Sequence, residues 1–177
     1  MRLFIAIDLD EEIKESLYGC LQRLKTYTVK GSFTRRENFH LTLIFLGEID
    51  LPRISIIKSA MERAAQPPFA LSIQDIGMFQ GIGGDICWIG VPKNRELSAL
   101  YHRLTSELSV RDFVVEKREY KPHLTLGRQM MFKENFDKET FSRTIPSMNM
   151  RVRKISLMKS ERIEGKLTYT EIYAQFL

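Results

Sequence analysis

The tetrapeptide His-Leu-Thr-Leu occurs twice in this chain, at residues 40–43 and 123–126. Successive side chains of an extended strand point to opposite faces. Each copy therefore predicts a strand that buries its two leucines and presents a histidine and a threonine on the other face. Two such strands can border one polar cleft, whose candidate residues are His40, Thr42, His123 and Thr125.

The two copies stand in matching surroundings, which indicates an internal duplication. An apolar strand-like segment, 3–9 or 86–91, comes before each copy and is followed by a helix with a stripe of leucines. His40 follows Phe4 by 36 residues (40 − 4), and His123 follows Cys87 by 36 residues (123 − 87). A single His-x-Thr triplet on a strand favours a structural role, whereas the repeat favours one histidine from each half across a pseudo-twofold axis.

The rest of the chain reads as helices mixed with antiparallel strands. The spacing of apolar residues predicts a third helix over 53–65 and a short strand over 111–117. Hairpins are predicted for 69–79 with 85–91, and for 151–158 with 167–176. The glycine cluster at 81–84 predicts a turn rather than a phosphate loop, because no Lys-Ser/Thr pair and no helix follow it. This order of elements favours an α+β fold with two lobes, two antiparallel sheets beside a central cleft, and helices outside.

Length and composition predict one bilobal domain over residues 1–177, with one motif in each lobe. The chain has 177 residues, of which 44% are hydrophobic, and it contains no linker-like tract. The apolar run at the start is too short and too soon acidic for a signal peptide, and no segment is long enough to span a membrane. The isolated cysteines, Cys20 and Cys87, favour reduced thiols in a cytoplasmic protein. Nothing in the sequence indicates an obligate partner, so a monomer is expected.

Positive charge gathers near both motifs. The formal net charge is +5. Basic residues cluster before the first motif, before the second motif and directly after the second: Lys30, Arg35 and Arg36; Lys117, Arg118 and Lys121; and Arg128. A basic approach to a cleft favours a phosphate-bearing substrate. Solvated surface charge with no ligand is the alternative interpretation.

These residue types suit acid and base chemistry on a phosphodiester. Two imidazoles can serve as a general acid and a general base near neutral pH. Thr42 and Thr125 can each donate a hydrogen bond to a phosphoryl oxygen, and Arg128 can hold negative charge. No metal ion is expected, since neither triplet carries a carboxylate or thiol at ligand spacing.

The two motifs, with their neighbours HLTLIFLG and HLTLGR, resemble the paired signature of the two-histidine phosphoesterase superfamily. The resemblance is to its RNA 2′,3′-cyclic phosphodiesterase branch, also called the 2′-5′ RNA ligase family. It continues through RLFIAID near the start, Lys121-Pro122 before the second motif, and Ser160, Gly165 and Tyr169 near the end. It implies a bilobal α+β fold and metal-independent hydrolysis of an RNA-terminal 2′,3′-cyclic phosphate to a 2′-phosphomonoester.

Residue by residue, the resemblance implies that His40 donates a proton to the 3′ oxygen and that His123 activates water. It implies phosphate contacts from Thr42, Thr125 and Arg128. The nearly identical motifs cannot themselves assign the acid and the base. The chain departs from the family at Ile44, which is often basic in relatives and is expected on the strand face of His40, and in its glycine-rich loop at 81–84.

Three residues outside the motifs also need an assignment. Tyr120 and Phe4 are possible stacking partners for a nucleobase, but the sequence favours an ordinary packing role for each. His102 lies in a predicted helix without a threonine partner, and it is expected to be a surface residue.

Two other functions remain open. The same site could ligate RNA through a 2′-5′ bond, which is the reverse reaction. The basic residues could instead make a non-catalytic RNA-binding module. RNA ends or cyclic nucleotides are the expected partners in the first case, and RNA in the second.

Overall fold

The computed structural model describes residues 1–115 and 119–177. This part of the chain forms nine strands and four α-helices, in the order β1 (Arg2–Asp8), α1 (Glu11–Thr26), β2 (Thr28–Phe33), β3 (His40–Glu48), α2 (Ile54–Ala64), β4 (Phe69–Phe79), β5 (Asp85–Gly90), α3 (Arg95–Ser109), β6 (His123–Phe132), α4 (Lys138–Arg143), β7 (Met148–Val152), β8 (Lys154–Ile163) and β9 (Lys166–Phe176).

The strands make two antiparallel sheets. The first has the order β3-β1-β8-β9, and the second has the order β2-β6-β5-β4-β7. The motif strands β3 and β6 lie in different sheets. Strand β3 pairs with β1 and β6 pairs with β5, and in each case a helix lies between the two strands in the sequence. Asp8 pairs with His40 and Gly90 pairs with His123, so the two motifs occupy equivalent places. The predicted α+β fold with two antiparallel sheets is confirmed.

Leucine stripes decide how the helices pack. Helix α1 buries Ile13, Leu17, Leu21 and Leu24, and it lies against β2 and β7 of the second sheet. Helix α3 buries Leu97, Leu100, Leu104 and Leu108, and it lies against α2 and β3 on the first sheet. The helix of each half therefore packs on the other half's sheet. The Asn94 side chain caps α3 by accepting a hydrogen bond from the Leu97 N–H at 2.9 Å.

The alternation predicted for the two motifs is confirmed. Leu41, Leu43, Leu124 and Leu126 are buried in one continuous hydrophobic core, whereas the histidines and threonines between them are half-buried. Burying a leucine side chain contributes about 1.5–3 kcal/mol. The four leucines therefore fix which face of each strand carries the polar residues.

Two sequence predictions about strands need correction. The segment 151–158 is not one strand, because β7 pairs with β4 in one sheet while β8 pairs with β1 in the other. The segment 111–117 is not a strand in its described part, 111–115, where the chain turns and Asp112 has a φ of 59°. Residues 116–118, which include Lys117 and Arg118 of the predicted basic cluster, lie outside the described residues. Strand β2 and the short helix α4 were not predicted.

Ile44 lies on the core side, which contradicts the face predicted for it. Thr42 pairs with Ala6 and Ile44 pairs with Ile5, so Leu43 is an extra residue in a β-bulge. The bulge shifts the alternation by one residue. Ile44 is 3% exposed and packs in the core. A basic residue at this position would be buried, so the departure from the family pattern does not remove a polar group from the cleft.

Two further features concern the cysteines and the lengths of the helices. Cys20 and Cys87 are buried free thiols. Burial raises the pKa of the Cys87 thiol to about 12, with a contribution from the nearby Asp85 carboxylate. Across the described ranges, the helices are all too short or too polar to cross a bilayer.

Candidate active site

His40 is the first residue of β3, and two hydrogen bonds fix its ring. Its Nδ1 lies 2.7 Å from the Asn38 carbonyl oxygen, and its Nε2 lies 2.9 Å from the Thr42 hydroxyl oxygen. A carbonyl oxygen only accepts hydrogen bonds, so Nδ1 carries the proton and donates it. In the neutral ring Nε2 then accepts from the Thr42 hydroxyl, and Nε2 is the nitrogen that can exchange a proton with a ligand.

His123 is the first residue of β6 and is held in the same way. Its Nδ1 lies 2.6 Å from the Lys121 carbonyl oxygen, two residues upstream, as Asn38 is upstream of His40. The same reasoning assigns the Nδ1 proton to this hydrogen bond and leaves Nε2 for proton exchange. Both halves of the chain therefore contain the histidine and also the backbone carbonyl, two residues upstream, that sets its tautomer.

Aromatic rings pack against both imidazoles. The Phe4 and Tyr169 rings lie 4.9 and 5.1 Å from the His40 ring, centroid to centroid. The Phe79 and Trp88 rings lie 5.0 and 5.9 Å from the His123 ring. These contacts restrict each imidazole to one orientation, as a proton donor or acceptor requires.

The structure supports the packing interpretation of Phe4. Phe4 is only 4% exposed, with its ring between His40 and Tyr169, so it offers no accessible face to a base. Tyr120 also has a packing role. Its ring stacks on Tyr101 with 4.1 Å between centroids, and its hydroxyl donates to the Thr42 carbonyl oxygen at 3.0 Å. Tyr120 thus ties the segment before β6 to the middle of β3.

The two halves of the site influence each other electrostatically. Burial lowers the pKa of His40, and the positive charges of Arg128 and His123 lower it further. The Asn38 carbonyl and the Asp8 carboxylate act in the opposite direction. The charges of His123 and Arg128 therefore reach His40, although these residues lie on the other sheet.

Other predicted charges are engaged elsewhere. Arg36 forms ion pairs with Glu11 and Glu15 at 2.8 and 2.9 Å. Arg35 pairs with the carboxylate of Glu37 and donates to the Leu167 carbonyl oxygen at 3.3 Å. The basic residues before the first motif are thus largely neutralised by local acidic partners. Arg128 is exposed, and its positive charge lowers the pKa of His40.

Sequence reasoning missed the role of Asn38. Asn38 is 6% exposed, and its side-chain amide donates to the Leu167 carbonyl oxygen at 2.9 Å, while its backbone carbonyl oxygen accepts the Nδ1 proton of His40. The start of β9 therefore helps to hold the tautomer of His40. No local pattern could reveal this, since Asn38 and Leu167 are 129 residues apart.

His102 is an exposed residue of α3, as predicted, with its ring against Tyr101. Within the described ranges, no group of three or more His, Cys, Asp or Glu residues is placed to hold a metal ion. The histidines thus divide into two in the candidate site and one on the surface.

The lowered pKa of His40 gives a testable pH dependence. In the free protein we expect His40 to be neutral at pH 7 and to titrate below 6.5, its ordinary value. A bound phosphate ester should raise this pKa, because a negative charge favours the imidazolium. NMR titration of the imidazole C–H signals measures this, and a His102→Gln variant identifies the surface signal. A His40 that titrates at or above 6.5 in the free protein would contradict the site electrostatics.

The lowered pKa of His40 also makes the free energy of unfolding depend on pH. The neutral form of His40 is favoured by folding, so its contribution to stability is complete above the unfolded-state pKa. That contribution is lost as the pH falls through the lower pKa of the folded state.

Two facing antiparallel sheets, each with one His-x-Thr motif at the start of a strand, define a two-lobed α+β protein with a paired-histidine site. The family model described as the 2′-5′ RNA ligase superfamily matches residues 10–164, and the chain belongs to this superfamily.

Individual relatives agree with this membership. The chain is 31% identical to the RNA 2′,3′-cyclic phosphodiesterase of Thermotoga maritima, covering 98% of this chain and 94% of that protein. It is 35% identical to the protein of the same name from Archaeoglobus fulgidus, over 72% of each chain. The structure of E. coli LigT complexed with 3′-AMP superposes with a TM-score of 0.81 at 30% identity, covering 99% of this chain and 97% of that one.

Proposed function

We propose that this protein hydrolyses the 2′,3′-cyclic phosphate at an RNA 3′ end to a 2′-phosphomonoester, without a metal ion. The observation that carries the proposal is the identical restraint on His40 and His123: each donates its Nδ1 proton to a carbonyl two residues upstream. A binding surface has no need for two imidazoles with fixed tautomers, whereas acid and base catalysis requires them. The names of the relatives from Thermotoga maritima and Archaeoglobus fulgidus supply the substrate.

In the proposed reaction His123 acts as the general base and His40 as the general acid. The His123 Nε2 takes a proton from water, and the water oxygen attacks phosphorus opposite the 3′ oxygen. The bond between phosphorus and the 3′ oxygen breaks, and the His40 Nε2 protonates that oxygen. The product carries a 2′-phosphate and a free 3′-hydroxyl, and proton exchange with solvent restores both imidazoles.

His40 must be protonated to act as the acid, although burial favours its neutral form in the free protein. The negative charge of the cyclic phosphate reverses this preference when substrate binds. The Thr42 hydroxyl, which contacts His40 Nε2 in the free site at 2.9 Å, can then turn to a phosphoryl oxygen. Thr125 and Arg128 stabilise the remaining negative charge from the other sheet.

We also propose an oligomeric state, a substrate class and a location for the protein. Both histidines come from one chain, which supports a monomer of residues 1–177 working as one bilobal unit. RNA ends or cyclic nucleotides are the proposed substrates. The two buried free thiols favour a cytoplasmic location.

Hydrolysis of a short RNA ending in a 2′,3′-cyclic phosphate tests this function. We expect full activity after exhaustive chelation, because the histidine pair performs both proton transfers, and ³¹P NMR should show only the 2′-phosphate. A parallel reaction with an acceptor RNA carrying a free 5′-hydroxyl measures 2′-5′ ligation. Loss of activity on chelation and its recovery with zinc would contradict the metal-free mechanism. A 3′-phosphate product would show that the substrate binds the other way round, with the 2′ oxygen next to His40.

A further inference from the structure

A pocket of about 330 Å³ lies beside the candidate active site. It is bordered by the turn between β4 and β5 and by a distorted part of β6, and the residues that matter here are Ser32, Ile82, Gly84, Ile86, Arg128 and Gln129. Its volume falls within the range of about 300–1,000 Å³ that small-molecule sites occupy. The proposed reaction uses only Arg128 from this set.

The backbone of the pocket is fixed in an unusual conformation. Strand β6 has an extra residue near Arg128 relative to both neighbours, since Ser32 pairs with Arg128 while Lys30 pairs with Met131. Gln129 has a φ of 52°, which a non-glycine residue rarely adopts. A Cβ atom on Gly84 would lie 2.6 Å from the Gln129 carbonyl carbon, so only glycine permits this contact. The turn and the bulge are therefore locked together.

Residues of the pocket adjoin the active site. Arg128 borders the pocket and also lowers the pKa of His40 through its charge. Ile86 pairs with Phe79, whose ring packs 5.0 Å from that of His123. A ligand that extends from the histidines along β6 reaches this pocket without leaving the protein surface.

The lining chemistry fits a nucleotide. Arg128 supplies a cation for a phosphate, whereas Ser32 and Gln129 supply hydroxyl and amide groups for the edge of a base. Ile86 and the fully exposed Ile82 supply apolar surface for the face of a base. Thr125 pairs with Trp88 and Met130 pairs with Asp85, so bulges shorten this part of β6 and about 10 Å of strand separates the motif from the pocket. A ligand that spans this distance extends beyond the phosphate held by the histidines.

We infer that this pocket holds the nucleotide on the 5′ side of the terminal one, so that the enzyme selects RNA over free 2′,3′-cyclic mononucleotides. The inference rests on the proposed function. Arg128 lies between the two positions, where its guanidinium can contact both the cyclic phosphate and the phosphate that joins the two nucleotides. The glycine cluster at 81–84 thus forms a wall of the substrate site in addition to its role as a turn.

Comparison of two substrates tests the inference. The ratio of kcat/KM for a dinucleotide with a terminal 2′,3′-cyclic phosphate to that for the corresponding cyclic mononucleotide should be about tenfold or more, from the packing of one further base. The double variant Ile82→Ala, Gln129→Gly removes apolar and amide contacts while keeping a residue that accepts positive φ. It should reduce the ratio to about one and leave mononucleotide hydrolysis unchanged. Ile163→Ala, at the end of β8, is the control and should keep the wild-type ratio.

The outcomes separate the two proposals. A wild-type enzyme that hydrolyses both substrates with equal kcat/KM would overturn the inference and leave the proposed function intact. A variant that keeps the wild-type ratio would also overturn it. Hydrolysis of neither substrate by the wild-type enzyme would contradict the proposed function itself, and the inference with it.

Discussion

Replacing either His40 or His123 by alanine should lower kcat for cyclic phosphate hydrolysis by about 10²–10⁴-fold, the usual contribution of a positioned acid or base. The double variant should lose far less than the product of the two single losses, because an acid and a base that serve one transition state act as a unit. Steady-state kinetics on one RNA substrate measures all three variants.

The control for this series is His102→Ala, which removes an exposed imidazole of α3 outside the site and should keep wild-type activity. Thermal unfolding should show that the active-site variants remain folded. For His40, a glutamine variant keeps more of the packing against Phe4 and Tyr169 than alanine does. Two single variants with near wild-type turnover would show that both histidines have only a structural role.

The second large effect is expected at the threonines. Thr42→Val and Thr125→Val keep the shape of the side chain and remove one hydrogen bond each to a charged phosphoryl group, which contributes about 1.5–3 kcal/mol. At about 1.4 kcal/mol for each factor of ten, kcat/KM should fall by about tenfold to a hundredfold for each variant.

Thr105 provides a matched control for the threonine variants. Its hydroxyl is buried in α3 and finds no hydrogen-bond partner among the residues that the structure describes. Thr105→Val should therefore leave both activity and stability intact or improve stability slightly. Equal kcat/KM for Thr42→Val, Thr125→Val and the wild-type enzyme would remove the threonines from the proposed mechanism.

The motif itself explains why sequence alone located the candidate residues. Strand alternation depends only on the backbone, and burial of Leu41, Leu43, Leu124 and Leu126 determines which face each histidine takes. Strand alternation fails at Ile44, two residues after Thr42 on β3. The bulge at Leu43 turns Ile44 into the core, and nothing in the local sequence marks an extra residue in a strand.

The open and the incorrect predictions involve contacts between distant parts of the chain. The sequence left stacking open for Phe4 as a second possibility, and only the fold shows that Tyr169 covers this ring from β9. The segment 151–158 contains enough apolar residues for one strand, yet the chain changes sheet between Val152 and Lys154. The sheet that a strand joins depends on which sheet edge is available in the assembled fold. The periodicity of apolar residues therefore cannot predict it.

A crystal structure of the protein with a 2′-phosphorylated mononucleotide product tests the central claim most directly. The paired-histidine account predicts that the phosphate lies between the two sheets, with the Nε2 atoms of His40 and His123 each within about 2.6–3.2 Å of a phosphate or 3′ oxygen. The Thr42 and Thr125 hydroxyls should donate to the remaining phosphoryl oxygens. A phosphate that contacts only one imidazole, or binds away from both, would contradict the account.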